Sequence, residues 1–317
     1  MVRGILISGV VTVGVAMLAA QPRSDLGGMA GAPFRMGSGA YSVSMGNATA
    51  ALRSPSATGY DNPALPPFQP RRYGAASAAF LTLDRRFNSV LFAQQLKPTA
   101  GISLGVIAAG VGNIDGRNKD GVHTETYSTS ENLFFLSFGL KVERDLAIGV
   151  TPKILYYSLF NSVSSTTLGF DVGAVYLLTD ELTVAVLFQD LGSKYKWDTS
   201  RLYGVDGNST TDQFPIRNRF GISYQSADLG LIVSAEIEGA GASTFFRGGV
   251  GWSPLAHFEV RAGVDQVSPS EPVKPKPSVG FTVEYPVNAW TPGINYAYVL
   301  EPYGPGGIHF LTVTVGF

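Results

Sequence analysis

The last ten residues of the chain, Ile308 to Phe317, alternate between two kinds of side chain. Apolar residues fill most positions of one parity, namely Leu311, Val313, Val315 and Phe317. The other parity ends in the small or polar residues Thr312, Thr314 and Gly316. Because successive side chains of a β-strand point to opposite faces, this pattern predicts a strand with one apolar and one largely polar face. Such a division is expected where one face of the strand borders lipid.

The N-terminus has the composition of a secretory signal. Arg3 supplies a positive charge, the apolar run Ile5 to Leu18 is short for about 30 Å of hydrocarbon, and Leu18-Ala19-Ala20 provides small residues for cleavage. We therefore expect residues 1–20 to be a signal peptide that is removed. A retained membrane anchor is the alternative interpretation. The chain contains no cysteine, which excludes disulfides and thiolate metal sites.

An aromatic residue at the end of an amphipathic last strand resembles the ending of bacterial outer-membrane barrels. The resemblance implies that Phe317 belongs to the signal by which the barrel-assembly machinery inserts the chain, and that the protein lies in the bacterial outer membrane in contact with its lipid. Composition agrees, because charged residues are 15% of the chain, against about 25% in soluble domains. A formal net charge of -1 gives no basic field, so no nucleic-acid partner is expected.

The mature chain divides near residue 70. Residues 21–70 are rich in Gly, Ala, Ser and Pro and show no convincing alternation, so we expect a plug or hatch segment that folds into the lumen, with a short helix at Met45 to Arg53. Residues 71–317 contain about fourteen alternating runs, joined by short and longer connections in turn. The sequence therefore predicts an all-β fold, a transmembrane antiparallel β-barrel of about 14 strands.

Charged residues within the alternating runs fall on the face opposite the apolar one. Glu259 and Arg261, for example, alternate with Val260. A charge facing lipid at the membrane midplane costs about 2 to 4 kcal/mol, so this face is expected to line the lumen. The predicted lumen-lining residues are Asp171, Glu236, Glu238, Arg247, Glu259, Arg261, Asp265 and Glu284.

A soluble β-sandwich is the main alternative fold, because its strands also alternate, with their apolar faces pointing inward. The signal peptide, the terminal Phe317 and aromatic residues near the predicted strand ends favour the membrane barrel.

The sequence contains one match to a catalytic motif and three histidines. The segment 101–105, Gly-Ile-Ser-Leu-Gly, matches the G-x-S-x-G nucleophile elbow, but it lies within an alternating run and lacks the following helix which that chemistry requires. His123, His257 and His309 are isolated, and no pair has the spacing of metal ligands. We therefore expect no catalytic residue, no metal and no cofactor, and hence a protein that is not an enzyme.

Short motifs along most of the mature chain suggest a family. They are Gly39-Ala40, Ser44–Ala48 and Asp61–Leu65 in the N-terminal segment, then Phe170–Tyr176, Phe188–Gly192, Pro215–Arg217, Gly221–Tyr224 and Ile294–Tyr298. Together they resemble the PorV/PorQ family, a branch of the FadL-like barrels. The resemblance implies a fourteen-stranded barrel with an Asn-Pro-Ala element similar to that of the FadL hatch. The family usually carries acidic residues where this chain has Arg53-Ser54-Pro55-Ser56.

The resemblance leaves two functions open. In the first, the barrel passes a small hydrophobic solute across the outer membrane, and the hatch gates the lumen. The expected plug and gating residues are Asn62, Pro63, Ala64, Phe34, Leu65 and Phe68.

In the second, the chain is a non-transporting, PorV-like shuttle or partner component of a type IX-like protein secretion or surface-attachment complex. Aromatic residues of a longer loop would then anchor the partner proteins. The candidate anchors are Tyr195, Trp197 and Tyr203.

Overall fold

The computed structural model describes residues 28–160, 163–269, 273–302, 304 and 306–317. The predicted signal peptide, residues 1–20, lies outside the described residues. Within the described part of the chain, no helix is long and apolar enough to cross a membrane.

The described residues form eighteen β-strands, numbered here in chain order. They are β1 (Tyr73–Phe80), β2 (Arg85–Leu96), β3 (Ala100–Val111), β4 (Ile114–Arg117), β5 (His123–Tyr127), β6 (Ser130–Lys141), β7 (Leu146–Phe160), β8 (Val163–Leu177), β9 (Leu182–Leu191), β10 (Lys194–Asp198), β11 (Ser209–Gln213), β12 (Arg217–Ser226), β13 (Leu231–Ala240), β14 (Ser243–Leu255), β15 (Phe258–Val267), β16 (Lys276–Glu284), β17 (Thr291–Leu300) and β18 (Gly307–Gly316).

Fourteen of these strands close into a single antiparallel barrel. Its order is β1-β2-β3-β6-β7-β8-β9-β12-β13-β14-β15-β16-β17-β18, and β18 pairs back onto β1. Tyr73 faces Gly316 and Phe80 faces His309 across this closing pair. The predicted fold class is confirmed, and one closed sheet is incompatible with the two packed sheets of a β-sandwich.

The remaining four strands form two hairpins within connections in which no strand was predicted. β4 pairs with β5, and β10 pairs with β11. Every residue of β11 is exposed. A strand without a buried face carries no alternation of apolar and polar residues, so its sequence gives no period-two signal.

The faces of the barrel strands have the polarity expected of a barrel in lipid. In β18, Leu311 and Val313 are 40% and 57% exposed, whereas Thr312 and Thr314 are each 3% exposed. In this half of β18, apolar side chains therefore point outward and polar ones inward, the reverse of a soluble protein, whereas Ile308 and Phe310 of the other half are apolar and buried inward.

The two ends of the barrel differ. One end, called here the short-turn end, carries the connections 97–99, 142–145, 178–181, 227–230, 256–257 and 285–290. The opposite long-loop end carries both extra hairpins. The C-terminus is fixed at the short-turn end, where the Phe317 nitrogen donates to the Arg72 oxygen at 3.0 Å and the Phe317 ring stacks on Trp290 with centroids 5.1 Å apart.

Helices are few and short. The helix α1 (Ala40–Ser44) precedes the barrel, and α2 (Ser200–Tyr203) lies between β10 and β11. The expected helix at Met45 to Arg53 is wrong, because α1 ends where that helix was to begin. Gly46 and Asn47 follow with φ of 60° and 56°, a left-handed conformation that terminates a right-handed helix.

Candidate functional site: the barrel lumen

The N-terminal segment, residues 28–72, contacts inward-facing groups of strands around the barrel. The Ala40 nitrogen donates to Thr312 Oγ1 on β18 at 2.9 Å. On other walls, Ser223 Oγ donates to the Ala51 oxygen at 2.7 Å, and Gln95 Nε2 donates to the Pro67 oxygen at 3.0 Å. These bonds satisfy backbone groups that regular secondary structure leaves unpaired.

Wall glycines let this segment approach the strands closely at three places, of which the third is Gly101 of β3 against the Pro66 backbone. At the first, the turn Met45-Gly46 lies on β14 and β15, where a Cβ on Gly249 or Gly263 would overlap its backbone. At the second, Asn62-Pro63 lies on β6, β7 and β8, where a Cβ on Gly139 would come within 2.6 Å of the Pro63 oxygen. Only glycine leaves room for a backbone at this distance.

Asn62 organises its own turn as well as the contact with the wall. Its Nδ2 donates to the Ala50 oxygen at 3.0 Å, and its Oδ1 accepts from the Ala64 nitrogen at 3.0 Å. Asn62, Pro63 and Ala64 are all buried. Asn62 therefore ties two stretches of the N-terminal segment together, which fits the turn-capping chemistry of asparagine.

The other predicted plug residues lie in different parts of the lumen. Phe34 and Leu65 are buried, and the Phe34 oxygen accepts a hydrogen bond from the Tyr60 hydroxyl. Phe68 is half-buried near the short-turn end, with Lys141 Nζ 4.3 Å above its ring.

Inward-facing charges form a lumenal ion network across seven consecutive barrel strands, β7 to β15. Its members are Lys153, Asp171, Asp190, Arg217, Arg219, Glu236, Glu238, Arg247 and Asp265. Lys153 Nζ lies 2.6 Å from Asp171 and 2.5 Å from Asp190, and Arg217 Nε lies 3.1 Å from Asp190. Since every one of these side chains is buried, each charge depends on its partners.

The second half of the network holds the N-terminal segment. Arg247 contacts Glu238 at 2.7 Å and Asp265 at 2.6 Å. Asp265 Oδ2 accepts from Asn47 Nδ2 at 2.8 Å. The Ala50 nitrogen donates to Glu236 Oε2 at 3.2 Å. The network therefore joins the barrel wall to the segment on the same side as the first glycine contact.

Only five members of this network are among the predicted lumen-lining residues. The other members, Lys153, Asp190, Arg217 and Arg219, are not, although the two arginines occupy alternate positions of one strand and so share a face. Asp190 gives no such signal, because its φ of 64° accompanies a shift in the pairing of β8 with β9 that breaks the alternation.

The remaining predicted lumen residues form two pairs nearer the short-turn end. Arg261 Nη1 donates to Glu259 Oε1 at 2.7 Å, and Arg71 Nη2 lies 2.9 Å from Glu284. Arg261 is buried, whereas Glu259 and Glu284 are half-buried. The structure thus keeps them apart from the lumenal ion network.

Asp61 is a buried acid whose partners within the described residues are neutral. Its carboxylate accepts from Thr49 Oγ1 at 2.7 Å and from the Thr58 nitrogen at 2.9 Å. Burial raises the pKa of Asp61 above its usual value, and these two hydrogen bonds offset the increase in part.

A cavity of about 580 Å³ opens at the long-loop end. Its wall is predominantly apolar and includes Pro33, Met36, Val43, Leu81, Ala109, Val111, Tyr157, Phe245, Val299, Ile308 and Phe310. Charged residues also border it, namely Arg35, Arg85, Arg86, Glu131, Asp265, Lys276 and Glu301. The N-terminal segment contributes Pro33, Met36 and Val43, while none of the six predicted gating residues lines the cavity.

Arg35 is a half-buried cation at this cavity. Its Nη1 donates to the Ala30 oxygen at 2.6 Å, and among the described residues no carboxylate lies within ion-pair distance of it. Burial, and then the charge of Arg217, lower the pKa of Arg35 below its usual value.

The β10–β11 hairpin packs an aromatic cluster beside the cavity. Tyr195 and Trp197 pack on Tyr157, each with ring centroids 5.2 Å from it, and Tyr195 also packs on Phe214. The Tyr195 hydroxyl donates to Glu131 Oε1 at 2.8 Å.

The burial of this cluster corrects the interpretation of Tyr195 and Trp197 as surface anchors, because the two side chains are only 1% and 7% exposed. Their apolar rings are more stable when packed against the barrel than when exposed to water. Of the three candidates, Tyr203 alone is exposed, at 61%.

The serine motif and the histidines are not assembled into a site. Ser103 lies within β3, and its hydroxyl donates to the Phe92 oxygen at 2.9 Å. Among the described residues, no cluster of three or more His, Asp or Glu side chains has the geometry to hold a metal ion.

No protein-family model and no curated protein sequence matches this chain. Solved structures do match its fold. The toluene transporter TodX of Pseudomonas putida is 13% identical, with a TM-score of 0.63 over 88% of this chain and 97% of that chain. This barrel has the FadL-like fold.

Two further structures agree with this assignment. The toluene transporter TbuX of Ralstonia pickettii is 14% identical, with a TM-score of 0.60 over 88% of this chain and 97% of that chain. A FadL homologue of Pseudomonas aeruginosa is 11% identical, with a TM-score of 0.56 over 94% of this chain and 99% of that chain. TodX and TbuX are toluene transporters, and the third structure is a FadL homologue.

Proposed function

We propose that this protein is an outer-membrane channel that admits small, mainly hydrophobic solutes at its long-loop end. The observation that carries the proposal is the cavity of about 580 Å³, whose wall is predominantly apolar. Its volume lies within the range of about 300 to 1,000 Å³ typical of small-molecule sites. TodX and TbuX share this fold and are toluene transporters, which supports the same solute class for this protein.

In this proposal, the N-terminal segment is the plug, and its gate is the stretch from Gly31 to Gly37. This stretch forms part of the cavity wall through Pro33 and Met36. Gly31 and Gly37 have φ of 74° and 113°, which glycine adopts without strain, so they are suitable hinges. The rest of the segment is held by wall glycines and buried ion pairs and stays in place.

Blocking the cavity from the wall tests the proposal. Ala109 lies inward and lines the cavity, whereas its neighbour Ala108 belongs to the outward-facing register of the same strand. We expect Ala109→Trp to lower toluene uptake into proteoliposomes at least tenfold. Ala108→Trp, which adds the same side chain on the lipid side, is the matched control and leaves uptake unchanged. Equal uptake by both variants would refute the proposed entry site.

A second experiment tests the plug. Deleting residues 28–66 removes both the gate and the cavity wall that it supplies, and we expect leak of small polar dyes together with loss of saturable toluene uptake. Phe68→Ala alters the other end of the segment and should change neither. Unchanged, saturable uptake after the deletion would show that the segment does not gate the lumen.

The PorV-like secretion role remains the second candidate, and Tyr203 is the observation that favours it. Tyr203, Leu202 and Val205 are exposed near the tip of the β10–β11 hairpin, with Val205 at 101%. Burial of Tyr195 and Trp197 removes the other two anchors on which that role depended. Recovery of a stoichiometric secretion component from solubilised outer membranes, lost in Tyr203→Ala, would favour it over the channel.

A further inference from the structure

Nearly all ionisable side chains of the barrel strands face the lumen. Among the described Asp, Glu, Lys, Arg and His residues of the fourteen strands, all but two belong to the inward-facing register. The exceptions are Arg86 on β2 and His309 on β18. A charge on the lipid-facing wall is unfavourable unless it lies at the membrane interface and meets a polar group there.

These two exceptions flank one residue. Phe80 of β1 pairs with His309 on one side and with Arg86 on the other. With neighbouring strands about 4.8 Å apart, Arg86 and His309 stand about 10 Å apart in one row. All three side chains are exposed, and the row lies at the long-loop end, where β1 ends.

The row continues onto β17 with two tyrosines. Tyr298 pairs with His309, and their rings lie 5.1 Å apart. The Tyr296 hydroxyl lies 2.7 Å from His309 Nδ1. When that hydroxyl donates to Nδ1, the ring proton is on Nε2, which remains a donor. Tyrosines at such a position are typical of the membrane–water interface.

The Arg86 guanidinium has N–H donors that are available to a ligand. It makes no ion pair or side-chain hydrogen bond within the described residues, although it also borders the mouth of the cavity. The guanidinium fork and the imidazole N–H match the oxygens of a phosphate group. In outer-membrane barrels the short turns face the periplasm, so the long-loop end lies at the outer leaflet.

We propose that Arg86, His309, Tyr296 and Tyr298 form a binding site on the outer wall for the phosphorylated headgroup of an outer-leaflet lipid. The lipid chains then lie along the apolar surface below, over Leu311 and Val313. This site faces the outer wall and shares only Arg86 with the border of the solute cavity, and it stands whether or not the barrel transports a solute.

The test is native mass spectrometry of the full protein in detergent, titrated with diphosphoryl lipid A or with its dephosphorylated form. We expect the wild type to retain the phosphorylated lipid at least tenfold better than the dephosphorylated one. Arg86→Gln/His309→Gln should lose that preference. Arg144→Gln, which removes a charge from a short turn at the opposite end, should keep it.

Two further variants make the result decisive. Arg86→Lys retains the positive charge and should keep most of the preference, whether or not the double variant assembles well. Equal retention of both lipids by the wild type would overturn the proposal. So would an unchanged phosphate preference in Arg86→Gln alone, measured on protein whose heat-modifiable mobility shows a folded barrel.

Discussion

Asn62 and Gly173 are in contact at the lumenal face of β8: the Asn62 side-chain oxygen occupies the space that a Cβ on Gly173 would need. Asn62 also holds Ala50 and Ala64 through hydrogen bonds at 3.0 Å. The wall glycine and the segment asparagine are therefore one structural unit. A residue in the barrel determines where the N-terminal segment lies.

This contact predicts that Gly173→Ala destabilises the protein. The added methyl group overlaps the amide of Asn62, and neither the strand nor the buried turn has room to move. We expect a loss of about 1 to 3 kcal/mol in the free energy of unfolding, as for other overpacked cores. Denaturant unfolding in detergent micelles, followed by tryptophan fluorescence, measures it.

Gly74→Ala is the matched control for this substitution. Gly74 is also a strand glycine, but a Cβ there would meet only Val315 Cγ1 at 3.4 Å, an ordinary contact. It should unfold within about 0.5 kcal/mol of the wild type. Equal effects of the two substitutions would mean that the contact with Asn62 is not the cause.

The barrel was predictable from the sequence because its strands must present opposite faces to lipid and to a polar lumen, and β18 displays that requirement directly. The inward position of Asp190 was not predictable, because one bulge residue reverses the alternation of inward and outward side chains along β9. Tyr195 and Trp197 were placed on the surface for a related reason. An aromatic residue in a polar loop has the same local sequence whether the loop extends into solvent or folds over the barrel.

Removing Lys153 should destabilise the barrel strongly. Its ammonium group lies 2.6 Å and 2.5 Å from the carboxylates of Asp171 and Asp190. Lys153→Met leaves two buried acids with only Arg217 to compensate them, and breaking a buried pair in this way costs about 3 to 5 kcal/mol. The midpoint of thermal unfolding in detergent reports the change.

Lys141→Met is the comparison for Lys153. Lys141 is half-buried and contacts the Phe68 ring, so its removal should cost at most about 1 kcal/mol. If Lys153→Met were as mild as Lys141→Met, water would have to reach the lumenal ion network and the network would not be a structural core.

Asp61 makes the stability of the N-terminal segment dependent on pH. Because burial raises the pKa of Asp61 in the folded state, folding favours the protonated acid. The resulting stabilisation is complete below the unfolded pKa of about 3.9 and is lost as the pH rises through the raised folded pKa. Comparing wild type with Asp61→Asn in denaturant unfolding from pH 3 upward isolates this contribution. We expect the variant to lose it, so that the difference between the two proteins changes with pH.

Asp115 should show the opposite sign. His123 and then Arg117 lower its pKa through side-chain hydrogen bonds on the exposed β4–β5 hairpin. Any stabilisation from Asp115 is therefore present above its unfolded pKa and lost as the pH falls. For each variant, the quantity to compare is the difference in unfolding free energy from the wild type, followed as the pH rises. If this difference changed in the same direction for Asp61→Asn and Asp115→Asn, the raised pKa assigned to Asp61 would be contradicted.

Tyr195→Phe should loosen the β10–β11 hairpin from the barrel. The hydroxyl of Tyr195 is the partner of Glu131, which is 7% exposed, and removing it leaves a buried carboxylate unsatisfied at a cost of about 1 to 3 kcal/mol. Because the rings of Trp197 and Phe214 still pack, the barrel itself should remain folded while the hairpin opens more often. Limited proteolysis of intact cells, cleaving between β10 and β11, measures this opening, and a higher cleavage rate is expected.

Tyr203→Phe is the matched control, because it removes an exposed hydroxyl from the same hairpin. It should be cleaved at the wild-type rate. Equal rates for the two variants would show that the Tyr195–Glu131 bond does not hold the hairpin against the barrel.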